Sequence, residues 1–377
     1  MKPMRYIKFL LPIVAIMAVV ACSKKININD EWQDVTVVYG ILDQNDTIHY
    51  IKINKAFLGE ADAYGMAGVK DSSEYEVGEV EAVVEQYTNG TLVKSYTLIE
   101  TTLSNKDEGI FYGPEQKVYM FEEANLNPES TYRLVANIGD KQVTAETKLI
   151  NKKYSVIRWG GAGNGNLVEL EFIDIAKNLK ESIKFEAFPS ENAKRIEIYF
   201  HFIYTEIRME NGVQVSELDS FIYKLEEESL FSDAGDESLD VKILPESFYR
   251  RVGQLIDVAD ENIVKRQVED CRVVAFLAGE ALDTYIEVTK PSLGLVQDKK
   301  EFTNVDGGIG IFSCRTSEVW NVKLDNNSVE ELIKGEATSE LADDGVGYTV
   351  GRKFCSIYVD VFNCLSCETS SPNGPCW

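Results

Sequence analysis

The chain has 377 residues, 44% of them apolar and 27% charged, with a formal net charge of -24. That balance belongs to a folded chain, long enough for two or three domains that each bury a core. The acidic excess argues against nucleic acid or an anionic membrane surface as a partner, because like charges repel across such contacts. Beyond the N-terminus no run of about 18 apolar residues offers a membrane-spanning helix.

In chain order the N-terminus speaks first. Lys2, Arg5 and Lys8 give a basic start, and Phe9 to Ala21 is an apolar run of the length an export signal uses. Val19, Val20 and Ala21 stand directly before Cys22, the order of small and aliphatic residues in a bacterial lipobox, where the cysteine thiol is lipidated before cleavage. Residues 1–21 are therefore expected to be a lipoprotein signal peptide, and Cys22 the lipidation site and first residue of the mature chain. Its acyl chains exceed the two anchoring signals that stable attachment needs. Cleavage removes Lys2, Arg5 and Lys8 and no acidic residue, so the net charge of -24 becomes -27. Residues 22–34 read as a proline-free tether in which Lys24 and Lys25 precede Asp30 and Glu31, leaving only a weak acidic surface-export signal. The expected address is the outer membrane, lipid-anchored and facing the cell exterior.

Residues 35–150 read as strands. Val35, Val37, Tyr39 and Ile41 alternate with Thr36, Val38 and Gly40; Leu42 to Asp46 makes a turn, and Thr47 to Phe57 returns. Asn89-Gly90 lies between two alternating runs and accepts the positive φ angles of a type I′ hairpin turn. A third hairpin turns at Gly139-Asp140, with Tyr132, Leu134, Ala136 and Ile138 on one face. Leu126, Pro128, Tyr132 and Leu134 have the spacing of the tyrosine corner of fibronectin type III and related Ig-like sandwiches, the alternative being an ordinary strand tyrosine.

Residues 151–341 read as a mixed unit. The glycine-rich Arg158 to Asn166 would cradle phosphate only if it opened a helix, but Leu167 to Ile175 reads as a strand, which leaves a flexible surface loop. Ile196, Ile198, Phe200, Phe202 and Tyr204 share one face, Tyr199, His201 and Ile203 the other, so this strand is expected to be central and covered on both sides, with Asn211-Gly212 closing a hairpin. The acidic Glu226 to Asp240 lacks the spacing of an EF-hand loop and reads as solvated. Three helices are expected: one opening at Pro245 with Phe248, Val252, Leu255 and Ile256 as its stripe, one carrying Leu282, Tyr285, Ile286 and Thr289 before Pro291, and one with Ser328 and Glu331 as a capping box and Gly335 as its stop.

Catalytic signatures are missing. His49 and His201 both sit in strand patterns and read as satisfied or half-exposed side chains, and no GxSxG, HExxH or P-loop motif is present. Carboxylates are too numerous for sequence to nominate a hydrolytic pair. The expectation is a non-enzyme with no catalytic, metal or cofactor-binding residue. Cys271 and Cys314 either pair, given an oxidising compartment, or stand as small buried apolar side chains. Cys355, Cys364, Cys367 and Cys376 crowd the C-terminus in a number that suits an all-cysteine zinc site, although export favours disulfides.

The stretch "TKPSLGLVQDKKEFTNVDGGIGIFSCR", followed by "SVEELIKG" and "TSEL", resembles the C-terminal part of a family of Bacteroidota lipoproteins of unknown function. The matching pattern is Asn304, Gly307, Gly308, Gly310, Phe312 and Ser313, and the resemblance spans residues 20 to 341. It implies a lipobox, an Ig-like β-rich N-terminal part, and genes often placed beside TonB-dependent transporters, with no catalytic residues to carry over. Such proteins end soon after "TSEL", so residues 342–377 are expected to be an atypical Cys-rich tail, a lineage-specific addition or a reading-frame shift. Asp46-Thr47-Ile48 resembles the O-glycosylation acceptor of that phylum, at a length chance readily supplies. The expected fold is mainly β, an Ig-like or fibronectin-III-like sandwich over 35–150 followed by a β-rich mixed α+β domain over 151–341. The expected role is an outer-membrane lipoprotein serving as a non-catalytic binding or accessory module with a TonB-dependent transporter. Its partners would be outer-membrane lipid and that receptor, with no nucleic acid and the ligand left open; the alternatives are a fimbrial or adhesin subunit and, further off, a surface hydrolase.

Overall fold

The computed structural model describes residues 35–56, 63–152, 155–159, 168–188, 190–225, 229–230, 238–259, 261–269, 271–290, 301–339, 341–342 and 347–356. Strands in chain order are β1 (Val35–Asp43), β2 (Ile48–Ala56), β3 (Val80–Thr88), β4 (Thr91–Thr97), β5 (Ile99–Leu103), β6 (Gln116–Glu122), β7 (Thr131–Ile138), β8 (Lys141–Lys148), β9 (Ile157–Trp159) and β10 (Val168–Leu170). They continue as β11 (Ile183–Ala187), β12 (Ala193–Glu210), β13 (Val213–Lys224), β14 (Ser229–Leu230), β15 (Leu239–Ile243), β16 (Ile263–Val268), β17 (Cys271–Gly279), β18 (Val305–Asp306), β19 (Ile309–Leu324) and β20 (Phe354–Ser356). Helices are α1 (Ala63–Ala67), α2 (Lys70–Ser73), α3 (Pro245–Leu255), α4 (Glu280–Thr289) and α5 (Asn326–Lys334).

The fold is mainly β, and its N-terminal part is the expected sandwich. One layer runs β1-β2-β6-β5 and the other β8-β7-β3-β4, the A-B-E-D and G-F-C-C′ order of an Ig-like fold. Strand alternation drives the layers together: in β1 Val38 and Leu42 are fully buried while Tyr39 is 45% exposed. Asn89 and Gly90 take φ of 51° and 76°, and Asn211 and Gly212 take 51° and 81°, the left-handed pair a type I′ hairpin requires. The tyrosine corner is present. Tyr132, fully buried at the start of β7, accepts a hydrogen bond at its hydroxyl from the backbone N–H of Asn127 at 2.8 Å.

Hydrogen bonding continues past the boundary expected near residue 150. β1 pairs in parallel with β19 from Val37↔Ile309 to Asp43↔Arg315, and β19 leads on through β17 and β12. β18 extends the other sandwich layer beside β8. Leu149 and Ile150 are themselves fully buried, and one continuous apolar cluster reaches from Val38 to Phe354.

β12 forms the spine of the C-terminal part. Ile196, Ile198, Phe200 and Phe202 are fully buried on one face; on the other Ile203 and Arg195 are buried but Tyr199 and His201 only half-buried, so the strand is central as expected and its second face is covered only in part. Over the buried face lies α3, whose Phe248 meets Phe200, Phe202 and Phe172 at ring separations of 5.6, 5.2 and 5.2 Å. Its buried stripe passes through Tyr249 and Val252, while Leu255 is 57% exposed. α5 begins earlier than the proposed capping box. Asp325 is the N-cap and accepts from the N–H groups of Ser328 and Asn327, and Gly335 ends the helix in the left-handed conformation. Ser328 instead accepts from Phe172 N–H at 2.7 Å, and the Glu331 carboxylate holds the N–H groups of Ala337 and Thr338.

The first part of the expected tail belongs to this core. β20 pairs in parallel with β16, and Phe354 packs on Phe202 and Tyr204 at 6.0 and 5.8 Å. Arg352 donates to the carbonyl oxygens of Ile256 and Gly253 at the end of α3.

Candidate functional site

The outward face of the β3-β7-β8 layer carries polar side chains, because the inward positions on these strands belong to the core. Arg133 stands opposite Glu146, Thr131 opposite Lys148, and Tyr87 beside Thr131. The Tyr87 hydroxyl donates to Glu85 Oε2 at 2.8 Å, which fixes the ring. A wall rises where the chain leaves the sandwich: Asn151 N–H donates to Glu191 O at 3.0 Å, and Asn192, at φ 65°, donates through Nδ2 to Leu149 O at 2.9 Å.

Together these groups line an open cleft of about 680 Å³, with Tyr87, Arg133, Glu146, Lys148, Asn151 and Asn192 in it. A second recess of about 410 Å³ shares Glu146, Lys148 and Asn192 and adds Lys194, Glu280, Thr284 and Asn304. In an acidic chain this lining is close to charge-balanced: Arg133, Lys148 and Lys194 face Glu129, Glu146, Glu191 and Glu280. Among the described residues no histidine or cysteine lines either recess, and Ser130 is tied to Gln86 and Thr88 at 3.1 and 2.8 Å. The first cleft presents hydrogen-bond donors and acceptors around the Tyr87 ring, the second adds Phe302, and among the described lining residues no nucleophile has an adjacent base.

α4 forms a side of the second recess, and none of its residues is buried. Its start is capped by Ser313, whose hydroxyl accepts from Leu282 N–H at 3.1 Å. Beneath it lies Arg195, 1% exposed, which donates to Asp283 at 2.8 Å and to Glu287 and stands 3.6 Å from Glu197. Glu197 also accepts from Lys224 and Tyr199 at 2.7 and 2.8 Å. Burial would raise its carboxyl pKa, but those two hydrogen bonds outweigh it and hold the group below the usual carboxylate range. The sequence reading missed Arg195; its signal is a guanidinium set directly before the apolar run that starts at Ile196.

The singled-out pattern proves to be packing machinery. The Asn304 side chain clasps the Phe312 backbone, donating to its carbonyl at 2.7 Å and accepting from its N–H at 2.9 Å. A Cβ on Gly310, at φ +112°, would lie 2.0 Å from Val38 O, so only glycine lets β1 and β19 approach. Asn304 alone also reaches a recess.

Elsewhere the expected residues are scattered. Cys22, Cys364, Cys367 and Cys376 lie outside the described residues, as do most of the glycine-rich and acidic loops. His49 is buried, its Nε2 2.9 Å from Glu123 O, and His201 is half-buried with its pKa lowered by burial and by Arg272. Cys271 and Cys314 are buried on adjacent strands, but Cys271 faces Val322, eight residues along β19 from Cys314, a separation of roughly 27 Å. They cannot pair within one chain. Thr47 is exposed in the β1–β2 turn. Among the described residues no group of three or more His, Cys, Asp or Glu is placed to hold a metal ion.

No protein-family model matches the chain, and no curated protein matches it. Among solved structures it is similar to the C-terminal globular domain of an oligosaccharyltransferase from Pyrococcus abyssi, at 12% identity and a TM-score of 0.22, over 63% of this chain and 42% of that one. The chain thus spans less than half of that structure, and a likeness so low transfers neither fold nor activity. The site must be read on its own chemistry.

Proposed function

We propose that this chain is an outer-membrane lipoprotein, anchored through Cys22 and facing the cell exterior, that acts as a non-catalytic binding or accessory module beside a TonB-dependent uptake transporter. The observation that carries the binding role is the polar cleft on the outward face of the sandwich, where Arg133 and Lys148 nearly offset Glu129, Glu146 and Glu191. Its amides and paired charges suit a net-neutral, hydroxyl-rich ligand that exchanges hydrogen bonds on all sides, with Tyr87 offering a face for a ring to stack on. The address rests on the lipobox before Cys22, and the transporter on the family resemblance.

Gentle detergent extraction of the tagged protein from outer membranes, followed by mass spectrometry, tests the accessory role. A TonB-dependent barrel near one-to-one stoichiometry is the expected result; recovery of the lipoprotein alone overturns it. The cleft is tested by titrating the protein with neutral oligosaccharides. Tyr87→Ala should weaken binding by about tenfold, the worth of one aromatic contact, and saturable binding unchanged in that variant would place the ligand elsewhere.

A further inference from the structure

β13 is an edge strand. Twelve consecutive pairs join it to β12 without a register shift, from Val213↔Glu210 to Lys224↔Tyr199, and no described strand pairs with its other side. Val213 to Ser220 are all exposed, so about 27 Å of backbone edge meets solvent on both faces. Sheets usually blunt such an edge with lysine, proline, a bulge or a covering element. Val213 to Tyr223 contains no lysine, arginine or proline.

The two faces of this edge differ. Glu217 and Asp219 lie on one, while Leu218, 67% exposed, and Ile222, 51% exposed, lie on the other. Opposite Glu217 on β12 is Glu206, whose carboxylate is taken by Arg266 at 2.8 Å and by Arg208. Asp219 accepts the Tyr204 hydroxyl at 2.5 Å and the backbone N–H of Ser220 at 2.7 Å. Among the described residues neither Glu217 nor Asp219 has a basic ion-pair partner, so one face of the edge carries two acids without a cation beside the exposed Val213 and Val215, and the other carries Leu218 and Ile222 among Gln214, Ser216 and Ser220.

We propose that β13 is a docking edge that takes an extended segment of another protein as an added strand. That segment carries lysine or arginine on the face of Glu217 and Asp219 and apolar side chains on the face of Leu218 and Ile222. Backbone pairing would supply affinity and the alternating side chains selectivity. Charge decides against a second copy as the occupant. Two-fold antiparallel self-pairing centred on Glu217 or Leu218 sets acid directly against acid, Glu217 on its own copy or on Asp219, and like charges across a ladder are destabilising. This inference goes beyond the cleft and the anchor and depends on neither.

The test replaces Leu218 with the photo-crosslinker p-benzoylphenylalanine in the full-length protein in its native cells and identifies the linked peptide by mass spectrometry. A single segment of another protein, with basic residues at alternate positions, is expected. That segment, synthesised and added to the full-length protein in detergent, should slow amide exchange across Val213 to Ser220. The exposed double variant Glu217→Lys, Asp219→Lys should keep its circular dichroism and bind the segment about tenfold more weakly. Linkage to a second copy of the chain, linkage to an acidic segment, no linkage, or unchanged exchange at these amides each overturns the proposal.

Discussion

Among the described glycines Gly310 is the one where an added carbon would come nearest its neighbours, and its hydrogen is all that the β1–β19 ladder admits there. Gly310→Ala should destabilise the fold by about 3 kcal/mol, through overpacking against Val38 O and a strained positive φ together. Gly90→Ala, where nothing lies within 4 Å of the new carbon, should cost only its turn strain, about 1 kcal/mol. Chemical denaturation of the two variants side by side separates the causes. Tyr132→Phe removes the bond to Asn127 N–H and should cost about 1 kcal/mol with no change in ligand binding. Tyr132 was legible in the sequence because leucine, proline and tyrosine at fixed spacing report a local structure. Gly310 was visible only as part of a pattern, since its contact comes from a strand far away in the chain.

Among the elements, α4 depends on charge where its neighbours depend on burial. Arg195→Met keeps most of the volume but leaves Asp283 and Glu287 without their guanidinium, and should lower stability by about 2–3 kcal/mol. Amide exchange should quicken across Glu280–Thr289 before it does in β12. Arg195→Lys should rescue little, because one ammonium cannot reproduce a fork that serves two carboxylates. If α4 exchanged no faster in the methionine variant, the clasp would not be what holds it. Periodicity correctly gave α4 as a helix, yet its apolar stripe is only half-buried, because periodicity reports a face and not what covers it. At α5 two capping residues competed, and Asp325 prevailed because Ser328 was needed by Phe172 N–H. The cleft was illegible for a similar reason: Tyr87, Arg133, Glu146 and Asn192 are each ordinary on their own strands or loops and meet only through the fold.

For the whole molecule, paired charges set the pH range of stability. Hydrogen bonds from Lys94 to Glu123, from Lys290 and Arg195 to Glu287, and from Lys177 and Lys334 to Glu330 hold these carboxyls below the usual range. The unfolded chain therefore binds protons more readily, so their contribution is complete above the ordinary carboxylate pKa and is lost as pH falls through the depressed values. Tyr96 and Tyr199 are pushed up to about 12, chiefly by burial, so their contribution is complete below the ordinary phenol pKa and lost as pH rises past it. Urea unfolding from pH 3 to 11 should give a plateau between these limbs; a stability that kept rising below pH 4 would contradict the assigned pairs. The parallel joining of β1 to β19 carries a consequence of another kind. Asn45, in the turn just after β1, donates to the Ser317 carbonyl of β19 across 272 residues of chain. A strand made near the beginning must wait for one made near the end, which places the chain among slow, high-contact-order folders. Until then β1 offers an unpaired, apolar edge, so a chain crossing a membrane from its N-terminus would need that edge shielded by a chaperone for most of its passage.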